Sequence, residues 1–261
     1  MDYFIKNIIN YEVRIVNVMR IISIVVALSY LCFSNSNISS IIFTISIVLF
    51  ILLLLIINIL PYLIDRLIAK IDIDSYERYL IQLYPMIHKR NIYKNYALFR
   101  LSEFAYLCGN FEESIAYLKE VDIDQLSILK YGGKSKLDYY LQAFKIRTAM
   151  NDLSKLENIK LQLMMQTPKF SIERSKKLLY LNYCEFYNDI CIKHIPNDMY
   201  KQMPSNNFLN ELQKKYFMAK FYKLKGDSIE VERLFLEISK NDKRLFMVRE
   251  AKEWLDKMKA D

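Results

Sequence analysis

A few short stretches carry residue types from which chemistry could be built. Gly132-Gly133-Lys134-Ser135 matches the end of a phosphate-binding loop, but that loop needs a glycine five residues before Gly133, where Ile128 stands. No apolar strand leads into it, so the backbone cradle for phosphate is missing and a plain loop is expected. Asp72, Asp74 and Glu77 are acidic neighbours without the glycine and closing glutamate of a calcium loop. At the start of a helix they would complement the positive end of its dipole. Cys191 and His194 are three apart, so one helix face could carry both, yet zinc needs further ligands that neither His88 nor the other cysteines supply in a known spacing. Cys32, Cys108, Cys184 and Cys191 form no C-x-x-C pair and read as free thiols in a reducing compartment. With two histidines in the chain, no Ser-His-acid set stands out. No catalytic, cofactor-binding or metal-ligating residue is therefore assigned, and a binding role is expected rather than an enzyme.

The elements around these residues are helical by composition. The chain has 261 residues with only 4 glycines and 5 prolines. Sheets and irregular folds consume turn residues, whereas helical arrays need few. Apolar residues reach 53%, high for a purely soluble protein. Abundant Ile, Lys, Asn and Tyr are the usage of an AT-rich coding sequence, as in low-GC bacteria. The formal net charge of +8 is spread along the chain. Nucleic-acid binding usually gathers its charge into a stripe, so nucleic acid is not the expected partner.

Residues 1–70 read as a membrane anchor with two spans, about 16–34 and 40–64. Ser40 to Ile64 contains no charged residue and exceeds the roughly 20 apolar residues that a span requires. Ile21 to Phe33 is apolar but short; extended back to Val16 it includes Arg20, which can snorkel to the interface. A hairpin that only dips into one leaflet stays open for this first run. The link Ser34-Asn35-Ser36-Asn37 fits a hairpin tip. Arg14 and Arg20 flank one end and Arg66 and Lys70 the other, which puts both termini in the cytoplasm of a multi-pass protein of the cell membrane.

From residue 71 to 261 the apolar pattern turns to helical period. Leu98, Leu101, Ser102, Ala105 and Cys108 share a face up to Gly109-Asn110; Phe111, Ser114, Ile115, Leu118 and Val121 share the next. Neither helix buries its face alone, and together they make a hairpin. Ala219 and Tyr222 before Gly226-Asp227, with Val231, Phe235 and Ile238 after, repeat the arrangement. Ala143 with Asn151-Asp152 and Tyr183 with Asn188-Asp189 read as degenerate copies. Turn markers thus fall at 109, 151, 188 and 226. Ser75 to Ile87 reads as a leading helix, and Lys243 to Lys259 as a capping helix with Met247, Ala251, Trp254 and Met258 inward.

The segment Tyr106-Leu107-Cys108-Gly109-Asn110-Phe111-Glu112-Glu113-Ser114-Ile115 resembles the core of a tetratricopeptide repeat, and the pair around Gly226 is similar to it. The resemblance runs from Asn95 to Ile238. It implies a TPR-like α-solenoid, so that with the hydrophobic spans the chain is expected to be all-α: a transmembrane helical hairpin followed by that solenoid. It also implies a groove lined by first-helix positions, namely Tyr96, Phe99, Glu103, Tyr106, Leu141, Lys145, Tyr216, Lys220 and Lys223. The expected function is a membrane-anchored scaffold or adaptor that holds a protein or peptide partner at the cytoplasmic face. The alternatives are a non-catalytic subunit of a membrane transport or secretion complex, and a nucleic-acid-binding helical array.

Overall fold

The computed structural model describes residues 47–48, 73–74, 76–78, 80, 91–126, 135–168, 171–205 and 208–260. Among them helix is the regular structure and there is no strand. The candidate spans lie outside the described residues except for Ile47 and Val48, which are helical, and among the described residues no helix is long and apolar enough to cross a membrane. The loop from Gly132 to Lys134 and most of the leading helix also lie outside. The chain divides into two compact units, Met1–Leu83 and Tyr84–Asp261. In the first, Ile73, Tyr76 and Leu80 are helical and buried, spaced three and four residues apart as one helix face requires.

The second unit is built from helical hairpins. Helix α1 is Asn91–Leu107 and α2 Phe111–Glu120; α3 is Lys136–Ala149 and α4 Leu153–Met165. Helix α5, Ser171–Asn188, ends in a wide π turn, Asp189–Lys193. A short 3-10 helix, Asp198–Gln202, precedes α6 (Phe208–Lys225), α7 (Ser228–Ser239) and α8 (Phe246–Ala260). Each first helix stops at a residue in the left-handed conformation: Gly109 and Gly226 at φ 78°, Asn151 and His194 at φ 56°. Such a residue turns the chain back while the following N–H groups satisfy the last helical carbonyls, as Asn110 does at Ala105 and Asp152 at Arg147.

Aligned on these four residues, the first helices show one common register. Ten positions before the turn stand Phe99, Leu141, Cys184 and Tyr216; seven before stand Ser102, Phe144, Tyr187 and Ala219; all eight are buried. Small residues at the crossings let helices approach closely. In the first hairpin Ser114 Oγ donates to the Ser102 carbonyl at 2.6 Å, so both hydroxyl-bearing residues are buried and satisfied. In the last hairpin α6 and α7 pack together, and Ala219 on α6 and Val231, Phe235 and Ile238 on α7 are all buried.

Two expectations from the sequence are corrected here. The third turn is at His194, not at Asn188-Asp189: α5 continues through Asn188 and widens into the π turn. Among the described residues no second helix of full length follows it. Its place against α5 and α6 is taken by the 3-10 piece, where Tyr183 Oη donates to the Gln202 carbonyl at 2.9 Å and Tyr200 packs on Phe221. On the cap helix, Met247, Ala251 and Leu255 form the buried face, while Trp254 is half-buried against Phe235 and Met258 is exposed. The i, i+4, i+8 row of 247, 251 and 255 sets that face, and 258 falls beyond its edge.

The first and last helices meet. Arg249 donates from Nη2 to the Cys108 carbonyl at 2.8 Å, and Phe246 packs on both Tyr106 and Phe111. A Cβ on Gly109 would stand 2.9 Å from Phe246 Cβ and 2.6 Å from the Arg249 guanidinium, whereas one on Gly226 would meet open space. Both glycines have the same φ, so the two substitutions separate backbone strain from close approach. Gly226→Ala should cost about 1–2 kcal/mol through the left-handed backbone alone. Gly109→Ala should cost about 1–3 kcal/mol more, because helix α8 must shift. Urea melts of residues 84–261 followed by circular dichroism check the difference; equal costs would mean that α8 does not press on the first turn.

Candidate functional site

The positions left over by packing build a cavity. Six residues before each left-handed turn stand Glu103, Lys145, Asn188 and Lys220; three before stand Tyr106, Thr148, Cys191 and Lys223. Lys145, Lys220, Tyr106, Thr148 and Cys191 line one cavity of about 510 Å³ at the ends of α1, α3 and α5 and against α6 and α8. Its floor is aromatic: Tyr106, Phe111, Tyr187, Tyr216, Phe217 and Phe246. These rings pack edge to face or tilted, with centroids 5.2–5.7 Å apart for Tyr106–Phe111, Tyr106–Phe246, Tyr216–Phe246 and Tyr187–Phe217. Such pairs add about 0.5–1.5 kcal/mol each beyond the area they bury. The cavity is therefore walled by groups that also hold the hairpins together.

Its charges converge on this floor. Lys145 Nζ lies 6.0 Å from the Tyr106 ring and 5.7 Å from the Tyr187 ring; Lys220 Nζ lies 4.8 Å from the Tyr216 ring. The ring faces attract the ammonium groups. Tyr216 Oη donates to Glu250 at 2.6 Å, and Lys220 pairs with the same carboxylate at 3.6 Å. Three helices end at the cavity, so the negative ends of their dipoles lie near the two lysines.

Burial, and next the Glu250 charge, hold the Tyr216 phenol well above its ordinary range. Burial raises Tyr106 and Tyr187 likewise. The Cys191 thiol is also raised, by burial first. A thiol held protonated is a poor nucleophile, and these phenols act as hydrogen-bond donors. His194 lines the cavity beside Cys191, but among the described residues no three ligand-type side chains come together as a metal site would need.

Of the nine groove residues expected from the sequence, four meet here: Tyr106, Lys145, Tyr216 and Lys220. Tyr96, Phe99 and Leu141 are buried in the core away from the cavity, and Tyr106 and Tyr216, though they line it, are buried as well, because neighbouring first helices pack on one another. Glu103 is half-buried on α1 and pairs with Arg100 at 2.7 Å. Lys223 is exposed outside the cavity. The sequence reading missed Tyr187, Phe246 and Glu250. Tyr187 becomes legible once the third turn is set at His194, since it then falls in register with Ser102, Phe144 and Ala219. Phe246 and Glu250 join only because α8 folds back on α1. Comparison with family models, with curated proteins and with solved structures returns no match.

Thiol labelling tests these assignments. Burial pushes Cys184 up to about 12, and its side chain is fully enclosed. Maleimide should leave Cys184 unlabelled until the protein unfolds. Cys191 should label slowly at about pH 7 and faster at about pH 9, as its thiolate fraction rises. Fast labelling of Cys191 that does not change with pH would contradict the enclosed, protonated thiol.

Proposed function

We propose that the chain is a membrane-anchored scaffold whose TPR-like hairpin array holds a protein or peptide partner at the cytoplasmic face. One observation carries this reading. Lys145 and Lys220, at equivalent positions of different hairpins, converge with Glu250 over an aromatic floor in a cavity of about 510 Å³. Concave sites of this size with a few placed polar groups are typical of ligand recognition. The two ammonium groups would face acidic groups of the partner, and the rings, themselves buried, would hold those ammonium groups in place. The lysines supply orientation and rate of encounter. The proposed role is binding without catalysis.

Two experiments test the reading. A photocrosslinking residue at position 145 should capture a partner in native membranes. Reversing Lys145→Glu together with Lys220→Glu should weaken that partner's binding by about tenfold or more. The same reversal at the exposed Lys252 and Lys257 of the cap helix should leave it within about twofold. Equal loss in both variants would reduce the effect to bulk charge, and no loss in either would remove the cavity from binding. For the anchor, a topology reporter at Asn35 should register outside the cell and one fused after Asp261 inside. An outside signal at both positions would refute the two-span arrangement.

A further inference from the structure

The cavity holds one acid of its own, placed as a partner's acid would be. Among the described residues Glu250 is the one carboxylate in the lining, and Lys145 and Lys220 are its two ammonium groups. Glu250 reaches in from α8. Tyr216 Oη donates to its Oε2 at 2.6 Å, and Lys220 Nζ stands 3.6 Å from the same oxygen. Tyr216 is 1% exposed, so its hydroxyl is a buried donor that needs an acceptor. A phenol and an ammonium aimed at one oxygen make a carboxylate-binding pair. The grip on Glu250 is nevertheless loose, as a second carboxylate shows. Asp138 on α3 is also held by a tyrosine and a lysine, Tyr180 and Lys176, both at 2.7 Å. It takes the Ser135 N–H and hydroxyl as well, and its side chain is only 10% exposed. That carboxylate is a fixed tie between α3 and α5. The Glu250 side chain uses one oxygen and is 50% exposed. It can swing to solvent about its own bonds while Arg249 and Phe246 keep α8 on the first turn.

We infer that Glu250 is a built-in competitor for the partner: an acidic side chain of the partner binds by displacing the Glu250 carboxylate from Tyr216 and Lys220. The inference rests on the cavity being the binding site proposed above. Displacement by a carboxylate leaves the buried hydroxyl of Tyr216 with an acceptor and Lys220 with a counter-charge. A neutral group leaves Lys220 without that charge, and a cationic group is repelled by it, so the exchange selects an acid. Glu250 thereby lowers the affinity for every acid and keeps the pair satisfied while the cavity is empty of partner.

The test uses the full chain in detergent micelles, with glutarate as the probe at constant ionic strength. Cys191 lines the same cavity, so glutarate held by Tyr216 and Lys220 should slow its maleimide labelling, read by peptide mass spectrometry. Each variant is compared with itself without glutarate. Glu250→Gln should be half-protected at a concentration at least about threefold below that of the wild type. Glu253→Gln, the same charge change at an exposed position of α8, should match the wild type. Adding Lys220→Gln to Glu250→Gln should remove the protection. The enclosed Cys184 should stay unlabelled in every variant, which reports that the fold is kept. Equal protection of Glu250→Gln and wild type, an equal gain in Glu253→Gln, or no protection in any variant would each overturn the proposal. None of these outcomes touches the broader reading of the cavity, which the capture of a partner at position 145 decides by itself.

Discussion

The arrangement of the hairpin unit depends on one close approach, that of α8 to the turn at Gly109. Stacked hairpins ordinarily touch only their neighbours, so the ends of such an array are independent. Here the last helix returns to the first turn. Arg249 bonds the Cys108 carbonyl across 141 residues of sequence, and Phe246 wedges between Tyr106 and Phe111. Gly109 permits this twice over: its φ of 78° is open to glycine, and its missing side chain leaves the space that Phe246 and Arg249 fill. The latch joins α1 and α8 by few groups, so its strength lies in their fit rather than in area.

This latch sets what the concave face can do. With α8 seated, Phe246 links the rings of the first hairpin to Tyr216 of the last, and Glu250 comes within reach of the Tyr216 hydroxyl and Lys220. An open groove would suit an extended chain threading past successive hairpins. A cavity walled by α8 suits a single anchor inserted into it. Opening the latch would separate Glu250 and Phe246 from the other walls together, which couples the ends of the array to the site.

Much of the helix pattern was legible in the sequence, and the failures have physical causes. Gly109 and Gly226 announce their turns because glycine alone takes a left-handed φ without cost, and Asn151 is the next best residue there. His194 carries no such signal. Asn188-Asp189 looked like the turn instead, yet Asp189 accepts from Ile195 and the Asn197 side chain, and so caps the widened helix end rather than stopping it earlier. That error moved the third register by six residues and hid Tyr187. Tyr96, Phe99 and Leu141 were placed in a groove by counting faces of one hairpin, but a first helix also packs on the first helix of its neighbour. Residue counting within a hairpin cannot see that second contact, nor the return of α8.

The corrected register explains why the cavity sits where it does. Ten and seven residues before each turn the helices cross, and every occupant there is buried: large in Phe99, Phe144, Tyr187 and Tyr216, small in Ser102 and Ala219. A charge at these positions would be desolvated without a partner. Six residues before the turn the side chain reaches past the crossing, and the four hairpins carry Glu103, Lys145, Asn188 and Lys220: one anion, one amide and two cations on the same scaffold position. Packing tolerates all four, so this row can change charge without changing the fold. Lys145 of the second hairpin lies over Tyr106 and Tyr187 of its two neighbours, and Lys220 lies over Tyr216 of its own hairpin. In the first hairpin Glu103 is paired with Arg100 and stays outside the cavity lining. The cavity's positive character is thus a choice made at a permissive row, set above buried rows that fix the geometry.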